Sequence, residues 1–176
     1  MSLAEKFDGE YCLDNYINAC LRVLTCADIS EAYQFGINDP DVRKYLGHEG
    51  ALTVLDLHKF VSGHENSDDQ VLFGFYLDNI HRGNVRIHNF DRKSAWLGIA
   101  LFDKTIWGQG WATKVLFSIT QIIWRIPSLE EIFAGVDIEN VGSFRAFKKA
   151  GFSVYDLSGE GAIFVCNRPI THSDLL

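Results

Sequence analysis

The chain has 176 residues, 47% of them hydrophobic, with 13 Phe and 4 Trp against only 3 Pro, and a formal charge of −7. That is apolar material for one globular domain over 1–176 with a substantial core at about 20–168, too little length for a second domain, and too aromatic for disorder. The acidic balance excludes the broad basic surface that nucleic-acid binding needs, and no apolar run nears the ~20 residues that cross a bilayer.

The N-terminus lacks a basic segment followed by an apolar one, so a cytoplasmic location is expected. Cys12, Cys20, Cys26 and Cys166 form no CxxC pair and read as reduced thiols. His48, His58, His64, His81, His88 and His172 are scattered without HExxH or Cys/His spacing, so no metal site is expected.

In chain order, Leu21–Leu24 is the first strand signal. Thr25 with Asp28 forms a variant capping box that would open a helix running to about Gly36. Asp39-Pro40 marks a turn, and Val42, Tyr45 and Leu46 place a short helix after it. Thr53 with Asp56 repeats the capping pattern ahead of a helix ending near Gly63. From Gln70 the period shortens: Val71–Leu77, Asn84–Phe90 and Ser94–Leu101, separated by Asp78-Asn79 and Asp91-Arg92, read as an antiparallel meander. Trp111–Ile126 is a helix with a broad apolar face, ended by Pro127. Ile132–Val136 is a buried strand, Asn140–Ala150 a helix stopped by Gly151, and Phe152–Tyr155 and Ala162–Cys166 are closing strands. The expected class is α/β (mixed α+β), with one mostly antiparallel mixed sheet and helices on both faces.

The segment Ile106-Trp107-Gly108-Gln109-Gly110-Trp111-Ala112-Thr113 lies between the third meander strand and the long helix. Small residues at Gly108, Gly110 and Ala112 let backbone N–H groups approach an anion, and the helix start adds unsatisfied donors and a positive dipole end. A pyrophosphate suits that place, although two glycines can also simply make a turn. A nucleoside-triphosphate loop is excluded by the missing GK[ST]. A dinucleotide fingerprint fails because Thr113 replaces its third glycine and an antiparallel meander precedes it, even though Glu130 sits at the distance of a ribose-binding acid.

Here the sequence resembles the GCN5-related N-acetyltransferases, above all the branch of ribosomal-protein N-terminal acetyltransferases. LRVLTCADI with DPDVRKYL resembles that branch's opening, GNVRIHNF its third strand, LGIALFDKTIWGQGWATKVL the cofactor motif and DIENVGSFRAFKKAGF the second motif. The cofactor motif commonly reads Arg/Gln-x-x-Gly-x-Gly/Ala; Gly110 and Ala112 match it and Trp107 departs from it.

The resemblance implies a sheet whose central strands, Trp96–Leu101 and Ile132–Val136, splay apart to admit acetyl-CoA, which would be cosubstrate without any metal. It implies that Leu97, Gly98 and Ile99 pair with the pantetheine arm, that Gln109, Gly110, Trp111, Ala112 and Thr113 hold the pyrophosphate, and that Asn140 and Ser143 meet the pantetheine and the sulfur. Asn140 as a plain helix cap, Ser143 as a surface residue and Gly98 as a simple bulge are the alternatives read from the residues themselves. Ser143 would donate to the departing thiolate. Phe147 stands where other members carry a tyrosine, leaving Tyr155, read as a strand residue with a hydrogen-bonded hydroxyl, as the second candidate acid.

His88 and Asp137 are candidate bases, and Lys104, Lys114, Lys148 and Lys149 candidate partners of the 3′-phosphate. The implied function is acetyl transfer to a primary amine, either a protein N-terminus or a small molecule, with Asp39–Asp69 setting the acceptor and room for a homodimer. A non-catalytic acyl-CoA-binding module and a dinucleotide oxidoreductase are the competing readings.

Overall fold

The meander is the centre of the fold. In the computed structural model, which describes residues 2–13, 16–47, 50–159 and 161–169, β3 (Val71–Leu77), β4 (Ile80–His88) and β5 (Ser94–Leu101) pair antiparallel in sequence order. The β3–β4 turn is tight because Asp78 and Asn79 both take positive φ, 53° and 60°, as a two-residue hairpin of the twisted type requires. β4 therefore begins four residues before the expected Asn84, at an exposed Ile80 whose polar neighbours hide the alternation.

Before the meander lie β1 (Glu10–Leu13) and β2 (Tyr16–Val23); after it come β6 (Glu131–Asp137), β7 (Ser153–Leu157) and β8 (Gly161–Asn167). The eight strands form one sheet in the order β1-β2-β3-β4-β5-β6-β8-β7. Every pairing is antiparallel except β5 with β6. β1 and the first half of β2 carried no clear strand signal: Ile17 and Asn18 are exposed there, so burial imposes no alternation.

Among the described residues five α-helices, α1 (Glu31–Ile37), α2 (Pro40–Arg43), α3 (Val54–Glu65), α4 (Trp111–Ile123) and α5 (Val141–Lys149), cover the two faces. Alternation along β3 divides the core accordingly. Val71, Phe73 and Phe75 pack with Val115, Ile119 and Phe147 beneath α4 and α5, whereas Leu72 and Tyr76 pack with Tyr33, Ile37, Leu57 and Val61 beneath α1 to α3.

The caps explain where the helices start. Thr53 and Asp56 do make a capping box. Thr25 and Asp28 make one too, but it closes only the 3-10 turn Cys26–Asp28, and the helix begins at Glu31 with Ser30 accepting from the Tyr33 amide. The expected continuous helix fails because the Asp28 carboxylate is fixed from across the sheet, by Arg22 at 2.5 Å and the Tyr76 hydroxyl at 3.1 Å, while Ile29 turns extended. α4 likewise stops at Ile123, short of Ile126. There the Arg168 guanidinium donates to the carbonyls of Trp124 and Ile126, satisfying the helix end from the last strand's exit.

Burial holds the imidazoles of His64 and His81 below the usual histidine range. The unfolded chain then binds more protons than the fold as pH falls, so this contribution to stability is complete above about 6.5 and is lost on acidification. The carboxylates with depressed values, Asp28 at about 2 among them, add to the loss only further into acid. The melting temperature should hold between pH 7 and 8 and decline from about 6.5 downward. A flat profile to pH 5 would show that the fold does not keep these rings neutral.

Candidate active site

Only the first three residues of β5 pair with β6: Ser94 with Glu131, Ala95 with Ile132 and Trp96 with Phe133. Beyond them the two strands part, and a cavity of about 1090 Å³ opens between them. Its walls are Gly98 to Leu101 of β5, the loop leading into α4, Gly135 to Asp137 of β6 and the first turns of α5; it continues beneath α1 to α3 to Tyr33, Asn84, Arg86 and His88.

The loop is shaped by two left-handed glycines, Gly108 at φ 73° and Gly110 at φ 80°. Gly110 is the N-cap of α4, has no side chain with which to cap it, and would carry a Cβ into open space. The first backbone bond into the helix runs from the Lys114 amide to the Gly110 carbonyl, so the amides of Trp111, Ala112 and Thr113 precede the helical ladder and face the cavity end with the positive helix dipole. The Trp107 ring nitrogen donates to the Leu101 carbonyl at 2.8 Å, pinning the loop to the end of β5. That is the work of the residue that departs from the motif.

Of the sequence-derived candidates, Gly98, Ile99, Gly110, Trp111, Ala112, Thr113, Asn140 and Ser143 line this cavity. Gly98 sits in regular register opposite Arg86, so it is not a bulge. The Leu97 side chain is buried in the core instead, and the Gln109 carboxamide donates back to the Thr105 carbonyl at 2.8 Å. Asn140 caps α5, accepting from the Ser143 amide at 3.0 Å; the Ser143 hydroxyl makes no hydrogen bond among the described residues.

Phe147, one turn on, is buried against Phe152 and Phe164. Tyr155 is not brought to the cavity: it is 67% exposed on edge strand β7 with its ring against Phe133, and its hydroxyl has no partner among the described residues, contrary to the hydrogen bond expected of it.

Two candidate bases reach the wall. Asp137 is exposed, with one oxygen accepting from the Glu139 amide. His88 is half-buried; desolvation, then the nearby Arg86 charge, holds its ring below the usual range, hence neutral and able to take a proton at pH 7. Among the lysines, Lys104 is paired with Asp39 and Asp41, Lys114 lies over Tyr16 and Trp111, and Lys148 lies over Phe144, leaving Lys149 on the wall. No three metal-ligating side chains gather among the described residues, and His48 and His172 lie outside them.

The sequence reading named His88 but missed Asn84 and Arg86, which stand in the same polar row. These residues alternate on one face of β4 while Val85 and Ile87 fill the opposite core. Polar residues at every second position of an otherwise buried strand were the available signal.

Residues 18–153 match the acetyltransferase (GNAT) domain family, well over half of the chain. The chain belongs to the GNAT acetyltransferase family. Solved structures reproduce the fold of this GNAT domain at low identity. A GNAT acetyltransferase from Bacillus anthracis superposes with TM-score 0.71 at 22% identity, over 86% of this chain and 94% of that one. The aminoglycoside acetyltransferase AAC(6')-Ib, with coenzyme A and kanamycin bound, gives 0.72 at 16%, over 85% and 95%. The Salmonella typhimurium enzyme that modifies the N-terminal serine of ribosomal protein L7/L12 gives 0.76 at 14%, over 89% and 99%. No curated protein matches this GNAT sequence. The parting of β5 from β6 is thus a feature of an acetyltransferase domain, and no helix among its described residues is long and apolar enough to cross a membrane.

Proposed function

We propose that this protein transfers an acetyl group from acetyl-CoA directly to a primary amine, as a cytoplasmic enzyme without a covalent intermediate. The observation that carries this reading is the uncapped start of α4, behind two left-handed glycines, at one end of the cavity between β5 and β6. Unsatisfied amides and a helix dipole suit the pyrophosphate, and the parted edge of β5 suits the pantetheine amides.

In the reaction the amine nitrogen attacks the thioester carbonyl, a tetrahedral intermediate forms, and the C–S bond breaks. The amine proton goes to a base and the thiolate takes a proton. Support for His88 as base is its neutral ring on the cavity wall. Support for Ser143 as the thiolate's donor is its hydroxyl at the first turn of α5, unbonded among the described residues and beyond the parting of the strands.

The acceptor end lies beneath Asp39–Asp69, apart from residues 48 and 49, which lie outside the described residues. Exposed Val154, Tyr155 and Leu157 on edge strand β7 are where a second copy would pair to make a homodimer.

Titration calorimetry with acetyl-CoA and with NAD, followed by an amine panel scored by CoA release, tests this reading. Acetyl-CoA should bind and NAD should not, and at least one amine class should release CoA. Binding without release from any amine would favour a non-catalytic acyl-CoA module, and binding of NAD alone an oxidoreductase.

A further inference from the structure

The acceptor end of the cavity holds a cation, Arg86, that makes no salt bridge among the described residues; the Asp69 carboxylate acts on it only from beyond ion-pair distance and is itself hydrogen-bonded by Ser67. Arg86 projects from β4 onto the cavity face, opposite Gly98, whose missing side chain leaves its flank open toward β5. Its Nε donates to His64 Nε2 at 3.0 Å and its Nη2 to Gln70 Oε1 at 2.8 Å, and the Phe60 ring lies 5.7 Å from its centre. All three partners are neutral.

His64 is fixed as an acceptor at Nε2 because its Nδ1 lies 2.6 Å from the Phe60 carbonyl, which only an N–H can satisfy. Two of the guanidinium's five donors are thus occupied, and the Nη1 pair has no partner among the described residues.

Other partly buried arginines of the fold are engaged differently: Arg22 is paired with Asp28, Arg82 is paired with Asp103, and Arg168 donates to main-chain carbonyls. The acids at the mouth are exposed, and two of them are already engaged, Asp41 with Lys104 and Glu139 with Lys44. A half-buried guanidinium without a contact ion pair is costly, and a braced one with its end free is shaped to take two oxygens of one anionic group.

We propose that Arg86 binds an anionic group of the acceptor, so that the preferred substrate is a primary amine carrying a carboxylate or a phosphate. This rests on the acetyl-transfer reading of the site. His64 and Gln70 are positioning residues that hold the fork, and Gly98 clears the path between the fork and the thioester. Polycationic amines are disfavoured by the same charge.

The test has two arms. In the first, kcat/KM is compared between amino acids and their carboxamides, and between aminoethyl phosphate and ethanolamine. In the second, N-acetylalanine and N-acetylalaninamide are titrated calorimetrically into the enzyme–CoA complex, which requires no turnover. The anionic member of each pair should be favoured by roughly 10- to 100-fold, as a charge-assisted hydrogen bond provides.

Arg86→Gln should erase that ratio in both arms while acetyl-CoA affinity holds. Arg86→Lys, which keeps the charge without the fork, should restore part of it, and melting curves verify that both variants are folded. Equal use and equal binding of the anionic and neutral members by the wild type would overturn the proposal, as would an undiminished ratio in folded Arg86→Gln. If no amine is acetylated yet N-acetylalanine binds through Arg86, the anion site stands and the transfer reading falls.

Discussion

Gly110→Glu is expected to abolish acetyl-CoA binding. Gly110 closes the loop in the left-handed region and its Cβ position opens onto unobstructed space at the cavity wall, next to the free amides of Trp111, Ala112 and Thr113. A glutamate there places a carboxylate where the pyrophosphate would lie, occupying the amides and repelling the phosphates together.

Backbone strain is a separate effect, which Gly110→Ala isolates. Alanine in the left-handed region costs about 1–2 kcal/mol, so that variant should melt a few degrees lower while still binding the cofactor. Calorimetry on both variants, with melting curves to verify folding, distinguishes occlusion from unfolding. Wild-type affinity in Gly110→Glu would remove the loop from the cofactor site.

The conformation of this loop was legible in the sequence because it is local. Gly108, Gly110 and the start of α4 lie within a few residues of one another, so their conformations follow from glycine's access to positive φ and from the missing side-chain cap. The same holds for the Asn140 cap of α5 and for the Asp78-Asn79 hairpin.

What escaped is set by distant partners. Asp28 forms its capping box but is held by Arg22 and Tyr76, and the helix starts later. Arg86 becomes an acceptor-side candidate only because β4 pairs with β5, placing it opposite Gly98, and because α3 supplies His64 as a neutral brace. Tyr155 failed for the same reason: its strand was read correctly, but the sheet order puts β7 outside β8, at the edge and away from the opening.

Ser143→Ala should lower kcat by roughly one to three orders of magnitude while leaving acetyl-CoA affinity nearly unchanged, because a hydroxyl that donates to the leaving thiolate acts mainly in the transition state. The helix terminus itself should survive the change. The cap is formed by the Asn140 side chain and the Ser143 backbone amide, which alanine retains, so the melting temperature should hardly move.

Phe147 offers no alternative donor one turn along, being apolar and packed in the core, and Tyr155 lies off the cavity, so whatever activity remains falls to water. Single-turnover rates ensure that the chemical step is being read and not product release. An unchanged chemical rate in folded Ser143→Ala would assign the thiolate's proton to solvent, and a parallel loss of cofactor affinity would make Ser143 a binding contact instead.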